Sequence, residues 1–397
     1  MIIGITGKPS SGKSTFFSAA TLVDVTIANY PFTTIEPNKG IGFVRIECID
    51  KEFGVQCNPR TGYCNNGTRF VPVELIDVAG LVPGASEGKG RGNAFLSDLS
   101  RANVLIHVVD ASGSTNDKGE PVTAGTYDPC NDIEFLENEI GLWFYGIIQK
   151  NWVKISRTPV ESKQKLIEAF SKVLSGLTIK ESQIEWALKK TSLLEKKLFQ
   201  WSEENQKDFS FALREISKPI VIAANKCDVP IAEKNIQKLK EKFPEKLIIP
   251  CSGFAELALK KAVKQGLIDY EPGAKKFEKK QDLNEKQEKM LNAIQRMVLD
   301  KYDSTGIQEV LEKTVFDVLK FIAVFPAGVH KLQDSEGRVL PDVFLMPPNS
   351  TALDFAFKLH TTMGEGFIRA VDVKTKQMIG KDYLLKHRDA IEIIFKG

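Results

Sequence analysis

Three short stretches carry side chains that could handle a nucleoside triphosphate. The first is Gly7-Lys8-Pro9-Ser10-Ser11-Gly12-Lys13-Ser14, followed by Thr15. It has the spacing GxxxxGK[ST], and it lies between an apolar run, Ile2 to Ile5, and a helix-compatible run. Gly7 and Gly12 allow backbone angles and close approach that a side chain would block. The N–H groups of such a loop, with a helix N-terminus behind them, point at an anion. Lys13 can reach the β- and γ-phosphates, and the Ser14 hydroxyl can hold Mg²⁺. The alternative is a glycine-rich turn before an ordinary helix; the flanking strand and helix favour the phosphate cradle. Gly7, Pro9, Ser10, Ser11, Gly12, Lys13, Ser14 and Thr15 are therefore the candidate phosphate contacts.

The second stretch is Asp77-Val78-Ala79-Gly80, a DxxG that ends the apolar run Phe70 to Ile76. Its aspartate is placed to bind Mg²⁺, usually through water, and the Gly80 N–H can sense a γ-phosphate. The third is Asn225-Lys226-Cys227-Asp228, an NKxD that ends the run Pro219 to Ala224. A carboxylate there can accept from the ring N–H and the exocyclic amine of guanine. Adenine offers no matching pair of donors and would leave the carboxylate unpaired, which discriminates strongly. A helix cap and turn before Pro230 is the plainer reading of the same residues.

Two further segments belong to the set. Cys251-Ser252-Gly253 follows the next strand, where a loop backbone could contact the guanine carbonyl oxygen; a strand-to-helix cap fits it equally well. Asn29-Tyr30-Pro31-Phe32-Thr33-Thr34 lies between the phosphate loop and DxxG. A threonine there could close on Mg²⁺ and the γ-phosphate as an order–disorder switch. Spacing alone leaves Thr33 and Thr34 both open.

The elements that must position these groups follow from the apolar pattern. Short apolar runs at 2–5, 40–49, 70–76, 104–110, 219–224 and 247–250 read as strands. Helical patterns at 95–101, 232–243 and 255–264 alternate with them. Such alternation predicts a mainly parallel sheet covered on both faces. Residues 24–40, 51–68 and 112–129 read as loops or turns. Between about 133 and 216 glycine becomes sparse, and Ile184, Ala187, Leu188, Leu194, Leu198 and Trp201 fall near helical spacing. That predicts a helical insertion, taken here as an antiparallel hairpin. Two helices, about 284–301 and 306–320, lead to a small α+β module. The expected organisation is a nucleotide domain over 1–132 and 217–320, an insertion over 133–216 and a C-terminal module over 321–397.

Composition narrows the class. The chain has 397 residues, with 26% charged, 42% hydrophobic and a formal charge of +3. These values suit a globular protein of two or three domains with no overall field for nucleic acid. No apolar run approaches the roughly 18 residues of a membrane span. A core strand at the N-terminus leaves no room for a signal peptide, so the cytoplasm is the expected location. Six cysteines are too few and too scattered for a disulfide framework. Cys57 and Cys64 bracket CNPRTGYC, with Cys48 nearby. Three thiols at wide spacing fall short of a four-ligand zinc site; they read as reduced, structural or incidental thiols, with metal or redox pairing as the alternative.

NYPFTTIEPNKG together with DVAGLVPGASEGKGRGNAFL resembles the Obg-related GTPases and, within them, the YchF-type proteins. The insertion resembles that branch as well. The segment LPDVFLMPPNSTALDFAFKLHTTMGEGFIRAVDVKTKQMIGKDYLL is similar to a TGS domain, a β-grasp module shared by translation and stress-response proteins. The resemblance implies a P-loop NTPase fold with a coiled-coil-like helical insertion and a C-terminal β-grasp domain. It implies that Thr34 is the switch threonine, so that Lys13, Thr34 and Gly80 serve catalysis and Ser14, Thr34 and Asp77 hold Mg²⁺. It also implies base contacts from Asn225, Lys226, Asp228, Ser252 and Gly253, and association with ribosomes or RNA.

The family places a hydrophobic residue after DxxG, here Leu81, which cannot orient an attacking water by hydrogen bonding. Intrinsic hydrolysis is then expected to be slow, or to depend on another residue, a cation or a partner. Many Obg-like loops carry an asparagine that supports potassium where this chain has Ser10, which leaves a potassium requirement open. Several YchF-type proteins depart from NKxD and accept ATP, whereas this chain keeps Asp228. The sequence thus points to a GTP-dependent switch, with an ATPase of the same fold as the alternative. A metabolic kinase would have no use for guanine reading.

Overall fold

The computed structural model describes residues 1–21, 38–78, 92–159 and 162–396. Thr33, Thr34, Gly80 and Leu81 lie outside the described residues. The chain forms two compact units, one built from residues of 1–21, 38–40 and 74–310 and the other from 41–73 and 311–396.

The first unit contains a parallel sheet. With Lys39–Glu47 as β2 and Tyr63–Asn65 as β3, its strands are β1 (Ile2–Thr6), the end of β4 (Thr68–Asp77), β5 (Val104–Asp110), β6 (Ile220–Asn225) and β7 (Ile248–Pro250), in the order β4-β1-β5-β6-β7. β5 is buried at every residue and β6 at all but its first, as strands covered on both faces must be. Isoleucine and valine fill them because β-branched side chains suit a pleated, packed surface. Register brings the carboxyl ends to one edge: Ile5 pairs with Asp77, and Asp110 with Asn225. In an open α/β sheet that edge is where ligands bind. Helix α1 (Lys13–Thr21) leaves it directly after the phosphate-loop sequence; α2 (Gly92–Arg101), α3–α6 in the helical segment and α7 (Ala232–Lys242) follow in chain order, and α8 (Gly253–Lys264) packs against α1.

The helical segment is four helices, not the expected hairpin: Cys130–Ser156, Lys163–Leu174, Glu181–Lys190 and Glu203–Ser217. Leu136, Ile140, Phe144 and Ile148 recur every four residues on the first and are buried. A Cβ at Gly141 would lie 2.6 Å from the Phe211 ring, so glycine sets the close approach of first and last helices. Phe170 stacks on Trp201 at 5.6 Å and meets Phe209 at 4.7 Å. The intervening breaks fall where Ser162 and Ser202 cap new helices, accepting from Lys165 and Asn205 N–H groups.

The second unit holds a five-stranded mixed sheet. Its order is Phe344–Met346, Ile322–Pro326, Asp389–Phe395, Phe367–Asp372, Gln377–Ile379. The second and third run parallel and the other pairs antiparallel. Helix Ala352–Leu359 covers it, with Phe355 buried among Val324, Ala370 and Ile391. Thr351 and Asp354 cap that helix reciprocally. The same unit includes 41–73. Residues 51–68, expected as a plain turn, contain a strand at Tyr63–Asn65 that pairs with Thr68–Phe70. Buried Arg69 donates to the carbonyls of Leu340 and Pro341 at 3.1 and 2.7 Å, and Arg45 pairs with Glu312 at 2.6 Å. No described helix is long and apolar enough to cross a membrane.

Candidate nucleotide site

The loop after β1 has the backbone of an anion cradle. Ser10 and Gly12 take left-handed φ values of 62° and 89°, and the Phe16 N–H donates to Gly12 O at 2.8 Å as the helix begins. Alternating right- and left-handed residues turn successive N–H groups to one side. Both glycines have steric reasons. A Cβ at Gly7 would sit 2.5 Å from Val108 O, and one at Gly12 would sit 2.3 Å from Asn225 Nδ2.

Asn225 ties the loop to the NKxD strand. Its Nδ2 donates to Ser11 O at 3.0 Å, and its Oδ1 accepts from the Gly253 N–H at 3.0 Å. One buried amide thus joins three motifs, the first of them more than 200 residues from the other two in sequence. Asp228 Oδ1 accepts from Ser252 Oγ at 2.6 Å, and Ser252 Oγ also accepts from the Ala255 N–H at 3.1 Å. Ser252 is therefore both the cap of α8 and a support for Asp228. A carboxylate has lone pairs to spare after one such bond, enough for a ligand with two adjacent donors. Lys13 Nζ pairs with Asp77 Oδ1, both partly exposed, linking the cradle to the end of β4. Lys13, Ser14, Asp77, Asn225, Asp228, Ser252 and Gly253 all belong to the first unit; Thr34 and Gly80 are outside the described residues.

Sequence reasoning missed the groups beneath the cradle. Asp110, fully buried at the end of β5, accepts from Ser112, Ser114 and Thr115 hydroxyls and from Lys226 Nζ at 2.9 Å. Burial alone would raise its pKa. The hydrogen bonds from Ser112, Lys226 and Thr115 outweigh it and hold the carboxyl below the usual range. Lys226 itself has φ 64°, and its ammonium is held by the buried carboxylate of Asp110. Lys8 donates to Thr115 O at 2.8 Å, pairs with Asp132 at 2.9 Å and lies 3.7 Å from the Tyr127 ring centre. His107 is buried on the same strand as Asp110, and burial, with the Lys8 charge, lowers its pKa to about 3. A cavity of about 340 Å³ is lined by Thr6, Lys8, His107, Tyr127 and Asp132, at the base of the loop rather than at Asp228. The one available signal was positional: Asp110, like Asp77 and Asn225, ends a buried apolar strand.

Sheet order, cradle and joined motifs define a P-loop nucleotide-binding protein. Residues 2–126 match the family model for 50S ribosome-binding GTPases, 223–328 that for the G4-motif domain of YGR210-like, Obg-like GTPases, and 336–395 that for the TGS domain. The chain is 47% identical to a GTP-binding protein of Methanocaldococcus jannaschii over 99% of this chain and 98% of the relative. It is 34% identical to the ribosome-binding ATPase YchF of Bacillus subtilis over 60% and 61% of the two chains. A crystal structure of a GTP-binding protein from Pyrococcus horikoshii superposes with a TM-score of 0.78 at 38% identity, covering both chains fully. The chain belongs to the Obg-related GTP-binding proteins and carries a C-terminal TGS domain.

Proposed function

We propose that this protein binds GTP in preference to ATP, hydrolyses it slowly and acts as a nucleotide-dependent switch. The observation that carries the reading is the Asn225 amide, bonded at once to Ser11 O and to the Gly253 N–H. It supports a single site in which the phosphate cradle and Asp228 serve one ligand. Asp228, held by Ser252, accepts from the two adjacent donors of guanine. Lys13 and the loop N–H groups, with Thr15 after Ser14, bind the phosphates.

The donor set suits Mg²⁺: a hydroxyl at Ser14 and a carboxylate at Asp77, joined by Thr34. When bound, the ion neutralises charge on the phosphoryl oxygens. Lys13 stabilises the same charge, Thr34 and the Gly80 N–H sense the terminal phosphate, and Leu81 offers no donor or acceptor to orient water.

Relatives named as ribosome-binding, together with the TGS match, support association with ribosomes or RNA in the cytoplasm. A second reading, an ATPase of the same fold, is favoured by relatives whose names carry that activity. Equilibrium titration of the full chain with GTP and ATP, in Mg²⁺, decides between them. Tighter binding of GTP is expected; tighter binding of ATP would overturn the first reading.

A further inference from the structure

Among the described residues, one cluster of metal-ligating side chains stands apart from the nucleotide site, in the second unit. Cys48 follows strand Lys39–Glu47, Asp50 lies in the helical turn Ile49–Lys51, Cys57 is in the loop beyond it, and Cys64 is in strand Tyr63–Asn65. One ligand atom from each of the four lies within 4.8 Å of every other. Cys48, Asp50 and Cys57 are at most 5% exposed. Cys48 Sγ and Cys57 Sγ are 3.7 Å apart, and Cys64 Sγ is 3.9 Å from Asp50 Oδ2.

These separations have a simple meaning. Two sulfurs in a disulfide stand about 2.05 Å apart. Two thiolates on one tetrahedral zinc ion, each about 2.3 Å from it, stand about 3.8 Å apart. A thiolate and a carboxylate oxygen on the same ion stand about 3.6 Å apart. The Cys48–Cys57 separation matches the second arrangement and not a disulfide, and all four ligand atoms stay within 4.8 Å of one another, close enough to converge on one ion. Three soft sulfurs with one oxygen, converging four-fold in a buried place, suit Zn²⁺ rather than Mg²⁺ or Ca²⁺, which favour oxygen shells of six or more.

The surrounding backbone is built to converge. Cys48 N–H donates to Gly67 O at 2.8 Å, and Val55 N–H to Asp50 O at 3.0 Å. Asp50 Oδ1 accepts from the Lys51 N–H at 2.8 Å, which fixes the carboxylate's direction. Gly62 has φ 69°, and a Cβ there would lie 2.1 Å from Phe70 O. The spacing C-x8-C-x6-C hid the site, because the fourth ligand is a carboxylate and the chain returns through a hairpin. Arg69, directly opposite Cys64 in that hairpin and 1% exposed, supplies a buried positive charge. Three thiolates, one carboxylate, Zn²⁺ and this guanidinium leave far less net charge than the ligands alone.

We infer that Cys48, Asp50, Cys57 and Cys64 form a structural Zn²⁺ site that staples residues 48–64. Binding expels three thiol protons and leaves no open coordination position, so the role is structural. The stapled loop docks within its own unit. The Asn58 N–H donates to Val339 O at 2.8 Å, and the Arg60 N–H to Pro341 O at 2.9 Å. Metal removal therefore loosens the loop's hold on 339–341 and leaves the nucleotide residues untouched. The inference is independent of the nucleotide reading.

The test uses the full chain, purified under reducing conditions, with Zn²⁺ and Co²⁺ as probes. One zinc per chain is expected by elemental analysis. Co²⁺ exchanged into the unmutated protein should show thiolate charge-transfer and tetrahedral ligand-field bands. Cys64→Ser and Asp50→Asn should weaken zinc binding by roughly tenfold to a hundredfold, and Cys57→Ser by more. Cys130→Ser should leave it unchanged. Chelation should speed amide exchange across 52–62 with GTP affinity unaltered. No retained metal, octahedral cobalt spectra, a Cys48–Cys57 disulfide in the reduced preparation, or iron in place of zinc would each overturn the assignment.

Discussion

Asp110, Lys226, His107 and Lys8 show what single residues contribute beneath the cradle. Lys226 belongs to the NKxD motif, yet its ammonium is spent on buried Asp110. The same residue takes a left-handed φ of 64° in the NKxD turn, and its ion pair with Asp110 anchors that turn to the end of β5. His107 gives a pH signature. Its pKa is 6.5 in a free chain and about 3 when folded. Between those values the unfolded chain carries a proton that the folded chain refuses, so stability falls as pH falls through that window. The slope from this group reaches about 1.4 kcal/mol per pH unit. His107→Gln should flatten the stability–pH curve between pH 6 and 4 by about one proton, as measured by urea unfolding at several pH values. An unchanged slope would show that His107 is not buried in its neutral form.

At the scale of elements, the loop and the NKxD strand are one device. Gly12 faces Asn225 so closely that no side chain fits. Gly12→Ala places a methyl group against the amide that bridges the loop to α8, in a backbone conformation L-residues avoid. It should destabilise the first unit by roughly 1–3 kcal/mol and abolish nucleotide binding. Calorimetric unfolding with and without nucleotide would record both effects; retained ligand-induced stabilisation would mean the Asn225 bridge is dispensable.

Strands β1, β5 and β6 were legible because continuous β-branched runs bounded by glycine and asparagine have few alternatives. The four-helix region was legible as helical but not as four helices, since Ser162 and Ser202 are weak breaks in a long charged pattern. Ser252 was ambiguous for a physical reason: a serine at a strand-to-helix junction caps the helix in either reading. Asp110 escaped notice because nothing in its neighbourhood has a motif spacing; only its buried strand end resembles that of Asp77.

At the scale of the whole molecule, the grouping of 41–73 with 311–396 had no local signal. Arg69 reaches Leu340 across 271 positions, and its buried charge is answered by carbonyls that no periodicity reveals. The cysteine cluster lies within 48–64, yet its four ligands converge only after a hairpin closes. A nucleotide switch of this build predicts a nucleotide-dependent partner. Co-sedimentation of the full chain with ribosomes should be greater with a non-hydrolysable GTP analogue than with GDP. Equal recovery in both states would remove the switch from the proposal and leave a nucleotide-binding protein without readout.

Guanine reading by Asp228 is most directly tested by exchanging the base partner. Asp228→Asn keeps the side-chain shape and turns one acceptor into a donor, which suits the carbonyl of xanthine in place of the amine of guanine. Affinities for GTP, ATP and xanthosine triphosphate should be measured on the unmutated and Asp228→Asn chains, in Mg²⁺ at fixed salt. GTP affinity is expected to fall at least about a hundredfold, with xanthosine triphosphate becoming the preferred ligand. Unchanged GTP affinity, or continued rejection of xanthosine triphosphate, would show that Asp228 does not read the base.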